Sequence, residues 1–432
     1  MALAGCTHLT AGEKGSRTDP TSRLPQTSAS PWREDFGDSD LATLLARADA
    51  GSLGGKLARS RLAKADAEVE AADAVRTINV VAGLSAAIGG ATFHDSGSAA
   101  TPTLEVRNEL DVWGRLAHGR QSARAERAAA AADVDAARLQ VGAETARSYL
   151  MLAAAREAHG IAMRREAAAR DAQAFSERRL ASGAANVRDV VARRSAVIAA
   201  AGARERAAAH ADLELARLSD LIGAPVDVPV AVSGLAAPGL DRALGPVDSS
   251  VVDRRPDVRA TQSRIRAADE HRAAAIAAAR PQFQIAAAFG APDAAIATLL
   301  DVRALAWAAA ASLSHEILDG GARKARIHVA TADADIADIT YRQTVLVAWQ
   351  EIRAAVADTA SARRSLEAAV ADLDAARAAL SAAEARHAAG VVDGAGLAAA
   401  RLTVADAEQA VCDARLRLGF AQVALILAEG PA

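Results

Sequence analysis

The chain repeats itself. "ERRLASGAANVRDVVARRS", from Glu177, aligns without gaps with "EARHAAGVVDGAGLAAARL", from Glu384, and sets Gly183 against Gly390 at an offset of 207 residues. The text after Trp113, "GRLAHGRQSARAERAAAAADVDAARL", has its counterpart in "GGARKARIHVATADADIADITYRQTV" at nearly the same offset. Such a period marks two copies of one supersecondary unit. Arm lengths agree: about 67 residues run from Leu116 to Ser182 and about 68 from Ala322 to Ala389. Each would span on the order of 100 Å as a continuous helix. A second arm returns from each glycine, Asn186 to Ile222 and Gly394 to Glu429, and ends near Gly223 or Gly430. Each half therefore carries a long helical hairpin, over about 116–222 and 322–429.

Heptads show how these arms pack. Leu397, Val404, Val411, Leu418 and Leu425 recur every seven residues, and Ala400, Ala407, Ala414, Ala421 and Ala428 follow each by three. Alanine at one core position lets helix axes approach closely. Leu366, Leu373 and Leu380 answer from the facing arm, so an antiparallel coiled coil is predicted. Aromatics make up only 3 % of the chain, too few for a string of compact cores and suited to long Ala-rich helices. A plain two-stranded rod would satisfy this seam equally well.

The text before each long arm does not belong to a rod. In "TPTLEVRNELDVWG", Leu104, Val106, Asn108, Leu110 and Val112 alternate with Glu105, Arg107, Glu109 and Asp111. Period two with one charged face is a strand. "TINVVAGLSAAIGG" upstream is its β partner, across the turn-rich "ATFHDSGSAATP". In the second half Phe283, Ile285, Ala287 and Phe289 alternate with Gln282 and Gln284, and Leu313, His315 and Ile317 with Ser312, Ser314 and Glu316. Strands are predicted at about 77–92, 103–113, 281–290 and 307–318. Four strands cannot close a membrane barrel, which needs at least eight, so several copies must share one.

Other function classes find no support. The 50 basic and 53 acidic residues nearly cancel, which favours neither nucleic acid nor an anionic surface. "GSLGGKL", Gly51 to Leu57, has the wrong glycine spacing for a phosphate loop, and "SHEILD" lacks the second histidine of a zinc helix. The nine histidines are scattered, so neither an enzyme nor a cofactor is expected. Cys6 and Cys412 form no metal or disulfide pattern. No apolar run is long enough for a transmembrane helix. Leu3-Ala4-Gly5-Cys6 has the form of a lipoprotein cleavage box, although only Met1 and Ala2 precede it. Either translation starts further upstream or the likeness is accidental. The first reading makes Cys6 a lipidation site and residues 1–31 an anchor and linker, followed by a first repeat at 32–235 and a second at 236–432.

"WREDFGDSDLATLL", "NELDVWGRL", "VVDRRPDVRATQSRIRAAD", "ILDGGARKARI", "YRQTVLVAWQEIRAAVAD" and the two glycine segments occur in one order along the chain. With these phrases the chain resembles the TolC-like outer membrane factor family, in particular its efflux lipoprotein (NodT-like) branch. The resemblance implies a mainly α protein with a membrane β-barrel: a homotrimer sharing a twelve-stranded barrel, continued by a helical coiled-coil tunnel in the periplasm. It implies a passive duct in the bacterial outer membrane, fed by a periplasmic adaptor and an inner-membrane pump of the RND type. Glu105, Arg107, Glu109 and Asp111 suit the water-filled lumen of such a barrel, whose other face meets lipid.

The resemblance also places adaptor contacts at the hairpin tips, at Leu180, Ala181, Gly183 and Ala184 and at Ala389, Gly390, Val391 and Val392. Family members narrow the mouth with aspartates just past the second tip. Here those positions are Gly396 and Ala399, so Asp189 and Asp393 become the candidates for an acidic constriction. The competing reading is a soluble periplasmic coiled-coil scaffold derived from such a duct.

"VVDRRPDVRATQ" is read as the restart of the second copy, matching the helix entry around Leu57 in the first. Pro256 suits the first helical turn, and Asp257 complements its positive end. Arg254 and Arg255 are expected in ion pairs rather than in a binding patch.

Overall fold

A computed structural model describes residues 39–89, 97–223, 250–290 and 306–430. In chain order these form α1 (Ser39–Gly51), α2 (Leu53–Ala74), β1 (Asn79–Gly89), β2 (Gly97–Leu110), α3 (Arg115–Ala181) and α4 (Val187–Ile222). They continue with α5 (Ser250–Arg254), α6 (Pro256–Ala278), β3 (Gln282–Gly290), β4 (Ala306–Ser314), α7 (Ala322–Ala388) and α8 (Gly394–Glu429). The repeat governs the helix ends: α3 and α7 each have 67 residues, and α4 and α8 each have 36. Cys6, and with it the linker, lies outside the described residues.

By contacts the chain divides into two compact units, each drawing on both halves. One comprises Met1–Ala63, Ala137–Val247 and Ala354–Ala432; the other comprises Lys64–Ala136 and Asp248–Arg353.

In the first unit α1 buries Leu41, Leu44, Leu45 and Ala48, one face at helical spacing, in a core that includes Leu152, Ile161, Leu218 and Ile222. The C-terminus of α1 is closed by Arg59, whose guanidinium donates to the carbonyls of Asp49 (3.1 Å) and Ala50 (3.5 Å). Ser52 Oγ accepts from the Gly55 N–H and starts α2, so the glycine-rich stretch is a helix entry at Leu53, earlier than the Leu57 read from sequence. Of the three α7 leucines expected on α8, Leu366 packs against Leu418 and Ala421. Cys412 is buried with Sγ 3.7 Å from the Ala154 carbonyl, and burial, aided by Glu157 and Asp413, pushes its thiol up to about 12.

The second unit holds one antiparallel sheet in the order β1-β2-β3-β4. Strand bounds differ from the sequence reading at several ends. β2 begins at Gly97, because its pairing with β1 continues through the turn-rich text to Gly97 opposite Gly89. β4 stops at Ser314, so His315 and Ile317 lie beyond it. Asp111 also falls past the end of its strand. It accepts the N–H groups of Leu116 (3.0 Å) and Ala117 (2.7 Å) and so caps α3 rather than continuing the charged strand face. Asp319 does the same for α7, accepting the N–H groups of Gly321 (3.0 Å) and Arg323 (2.8 Å).

Pro256 opens α6 in its first turn, with Asp257 beside it. Arg255, its side chain only 8 % exposed, binds Asp257 (2.8 Å) and Glu351 of α7 (2.6 Å). Arg254 is exposed and forms no ion pair among the described residues. The arginine pair is thus split into one structural clamp and one solvated charge. Contact between α6 and α3 is polar: His118 Nδ1 meets Glu270 at 2.7 Å, and Ser122 Oγ donates to the Ala267 carbonyl.

Two predictions follow from these contacts. A methyl group on Gly51 would lie 2.0 Å from the Ile222 carbonyl oxygen, a backbone atom that cannot yield. Gly51→Ala should therefore destabilise the fold by about 1–3 kcal/mol, read as a lower thermal midpoint. Asp319 is held down to about 2, chiefly by the Arg323 N–H, then by Gly321 N–H and the Arg323 side chain. A depressed carboxyl contributes stability above its unfolded pKa of about 3.9 and loses it as pH falls through the folded value. Amide protection at the start of α7 should thus fall between about pH 4 and pH 2, and Asp319→Ala should show that reduced protection already at neutral pH.

Candidate functional site at the hairpin tips

The two tips are built alike from backbone chemistry. In the first, the Gly183 N–H bonds to the Leu180 carbonyl and the Ala184 N–H to Arg179. In the second, the Gly390 N–H bonds to His387 and the Val391 N–H to Arg386. This pair of bonds satisfies the last carbonyls of α3 and α7, and it requires a left-handed residue. Gly183 and Gly390 supply it at φ +73° and +72°. The returning helices are capped in parallel. Asn186 accepts the Asp189 N–H at 2.9 Å, and Asp393 accepts the Gly396 N–H at 2.9 Å. Asp189 also returns a bond to the Asn186 N–H, closing a capping box on α4.

Asp189 and Asp393, singled out for an acidic constriction, therefore both sit at the start of a returning helix. They are not equivalent. Asp189 is the third helical residue of α4, while Asp393 precedes α8 and pairs with Arg179 across the tips at 3.4 Å. Leu180, Ala181, Gly183, Ala184, Ala389, Gly390, Val391 and Val392 occupy the two reversals, and Val391 is 66 % exposed.

Sequence reading missed what joins the tips. Phe175 of α3 sits where a methyl on Gly394 of α8 would come within 2.8 Å of its ring, so the helices touch at a glycine. Arg178 and Arg179 both lie 5.9 Å from the Phe175 ring centre. From there α3 and α8 run antiparallel along a ladder of ion pairs: Asp171–Arg401 at 2.8 Å, Arg165–Asp406 at 2.6 Å, Arg164–Glu408 at 2.6 Å and Glu157–Arg415 at 3.8 Å. Each exposed rung contributes at most about 1 kcal/mol, so the ladder sets register more than it holds the helices. Buried Glu166 binds Arg170 and, across the first hairpin, Arg204 of α4 at 3.3 Å. A groove of about 270 Å³ opens beside Phe175 between α3, α4 and the start of α8, with Arg179, Asp189 and Arg193 on its walls. The one available signal was the Asn/Asp cap 207 residues apart; cross-helix partners leave none in a single sequence.

The sheet offers a second candidate surface. One face carries Val80, Ala82, Leu104, Val106, Phe283, Ile285, Ala287, Phe289, Trp307, Ala309, Ala311 and Leu313, in matching register across the strands, with Asn108 as its polar member. The other carries Glu105, Arg107, Glu109, Gln284 and Ser312. Glu105 and Arg107 bond to each other at 2.5 and 2.7 Å, and Glu109 bonds to Arg115 at 2.5 and 3.0 Å. Trp113 Nε1 donates to the Pro281 carbonyl beside the start of β3, with Arg280 over its ring. Among the described residues no helix is long and apolar enough to cross a membrane. Among the same residues no group of three or more His, Cys, Asp or Glu could hold a metal ion.

The Outer membrane efflux protein family profile matches residues 45–224 and 249–430, one segment per repeat. The chain belongs to this family. It is similar to the Outer membrane protein OprJ of Pseudomonas aeruginosa, 28 % identical over 259 residues, which cover 59 % of this chain and 54 % of OprJ. It thus aligns with about half the length of that relative. It is 26 % identical over 330 residues to the Pyoverdine export outer membrane protein OpmQ of Pseudomonas putida, covering 75 % of this chain and 68 % of that one. Among solved structures it resembles the outer-membrane channel OprN with a TM-score of 0.83 and 27 % identity, over 94 % of this chain and 93 % of that one. The efflux-protein fold is therefore shared over nearly the whole described chain.

Because a methyl on Gly183 or Gly390 would meet nothing within 4 Å, alanine there should cost only the left-handed strain, about 1–2 kcal/mol. Gly183→Ala and Gly390→Ala should lower the thermal midpoint equally. A much larger loss at one tip would show that the turns are not alike.

Proposed function

We propose that this chain is the outer membrane channel of a tripartite export system, a passive duct formed by three copies. The observation that carries this is the sheet: four strands with one continuous apolar face, an opposite face that carries Glu105, Arg107 and Glu109 among small residues, and β1 and β4 as its outer strands. β1, β3 and β4 have 11, 9 and 9 residues, the length needed to cross a bilayer when tilted. In hydrocarbon every strand edge must be paired, so β1 of one copy joins β4 of the next, and three copies give twelve strands. The face bearing Glu105, Arg107 and Glu109 lines the lumen. OprJ, OpmQ and OprN are outer membrane proteins by name, which supports the same location here.

On this reading the tips face a periplasmic adaptor, which passes substrate from an inner-membrane pump of the RND type. Cys6 carries the lipid anchor. Asp189 and Asp393 form a ring of carboxylates at the mouth. No chemical step is asked of the chain.

Purified protein in planar bilayers should insert as a conducting unit with the mass of three chains. Recovery as a monomer from the soluble fraction, without detergent, would favour the scaffold reading. Asp189→Asn and Asp393→Asn keep an acceptor for the caps and remove the charge, so cation selectivity should fall. Unchanged selectivity in both removes the constriction.

A further inference from the structure

All four strands meet their helices at one end of the sheet. β1 and β3 begin there and β2 and β4 finish there, as the pairs Asn79–Arg107, Leu110–Phe283 and Gln282–Ser314 show. Three of the four connections at this rim leave large apolar side chains in the open. Val75 and Ile78 are exposed before β1, and Val112 and Trp113 after β2. Ile317 and Leu318 follow β4 at 89 % and 91 % exposure. A band of this kind marks an interaction surface. It also continues the apolar face of the sheet, which reaches the rim at Leu110, Phe283 and Leu313.

Arginines are set among these side chains, and they fall into two groups. Arg115 is bound to Glu109 and Arg323 to Asp319, each where a long helix starts. Arg76 and Arg280 are exposed and form no ion pair among the described residues. Their neighbouring carboxylates are already engaged. Asp73 binds Arg120, Asp269 binds Arg272, and Glu270 binds His118.

Arg280 is nevertheless held in place. Its guanidinium lies 5.0 Å from the centre of the Trp113 ring, and that ring is fixed by a bond of 2.8 Å from Nε1 to the Pro281 carbonyl. Stacking on a ring uses none of the five N–H donors of a guanidinium. The fork is therefore positioned but unspent, beside apolar side chains. Its complement is an acceptor with several anionic oxygens, carried on an apolar body. A phospholipid has that form, with its phosphate at the level where the acyl chains begin.

We infer that the rim around Trp113 and Arg280 binds an anionic glycerophospholipid. The Arg280 fork takes the phosphate, Arg76 adds positive charge beside β1, and the acyl chains lie along the strand face that begins at Leu110 and Phe283. This rests on the channel reading, which puts that face in lipid, and adds the lipid class and the residues that select it. Such a contact fixes the depth at which the barrel sits.

Tryptophan fluorescence of the full-length protein in vesicles tests it. The chain has four tryptophans, so W32F/W307F/W349F leaves Trp113 as the sole reporter at the rim. W32F/W113F/W349F leaves Trp307, near the far end of β4, as the reporter of the apolar face. Both are taken forward with helical content unchanged. Phosphatidylcholine vesicles carry brominated phosphatidylglycerol or brominated phosphatidylcholine as a minor component, and bromine quenches only at contact. Trp113 should be quenched at about fivefold lower mole fraction of the phosphatidylglycerol, the factor that one arginine at an anionic lipid surface supplies. R280Q should abolish that preference, R76Q should reduce it, and Trp307 should not distinguish the two lipids. Equal quenching of Trp113 by both lipids, or a preference that survives R280Q, overturns the inference. If Trp307 is quenched and Trp113 is not, the rim lies off the lipid, so the inference is wrong and the channel reading stands. If neither is quenched, the sheet is not in the bilayer and the channel reading itself fails.

Discussion

The helical part of this chain depends on two reversals of direction, each made by one glycine in the left-handed conformation. An L-residue with a side chain resists that conformation, and the helix would otherwise end with four carbonyls unpaired. Gly183 and Gly390 remove both obstacles, and the caps of Asn186 and Asp393 restart the chain three residues later. Only with the arms returned can α8 lie along α3, and only then do Phe175 and Gly394, or Glu157 and Arg415, come together from the two halves of the sequence. The turn is a local event whose consequences reach along the whole length of each arm.

Much of the fold could be read before any coordinates. Periods of seven and of two have a direct physical origin in helix and strand geometry, so the hairpin arms and the four strands were visible as patterns. Boundaries were less so where two signals compete. Asp111 continues an alternation, yet its carboxylate gains more from the free N–H groups of α3 than from a place on the strand face. At β2 the text Gly97 to Pro102 reads as turn by composition, but pairing with β1 overrides local propensity.

The candidate site was legible in part. Gly183, Gly390, Asp189 and Asp393 announce themselves through turn and cap chemistry, which is encoded within a few neighbouring residues. Phe175 and Arg179 act on partners more than two hundred residues away in the chain, and a single sequence has no local mark for such contacts. The arginine pair before Pro256 shows the same limit. Neighbours in sequence, Arg254 and Arg255 differ entirely in surroundings, because only Arg255 turns inward to Glu351.

Cys412 has a consequence for where the chain can live. Burial pushes the Cys412 thiol up, which lowers the share of the thiolate, the form that attacks disulfides. Its sulfur is buried against the Ala154 carbonyl, between two helices. Folding thus makes the cysteine a poor nucleophile, which suits an oxidising compartment.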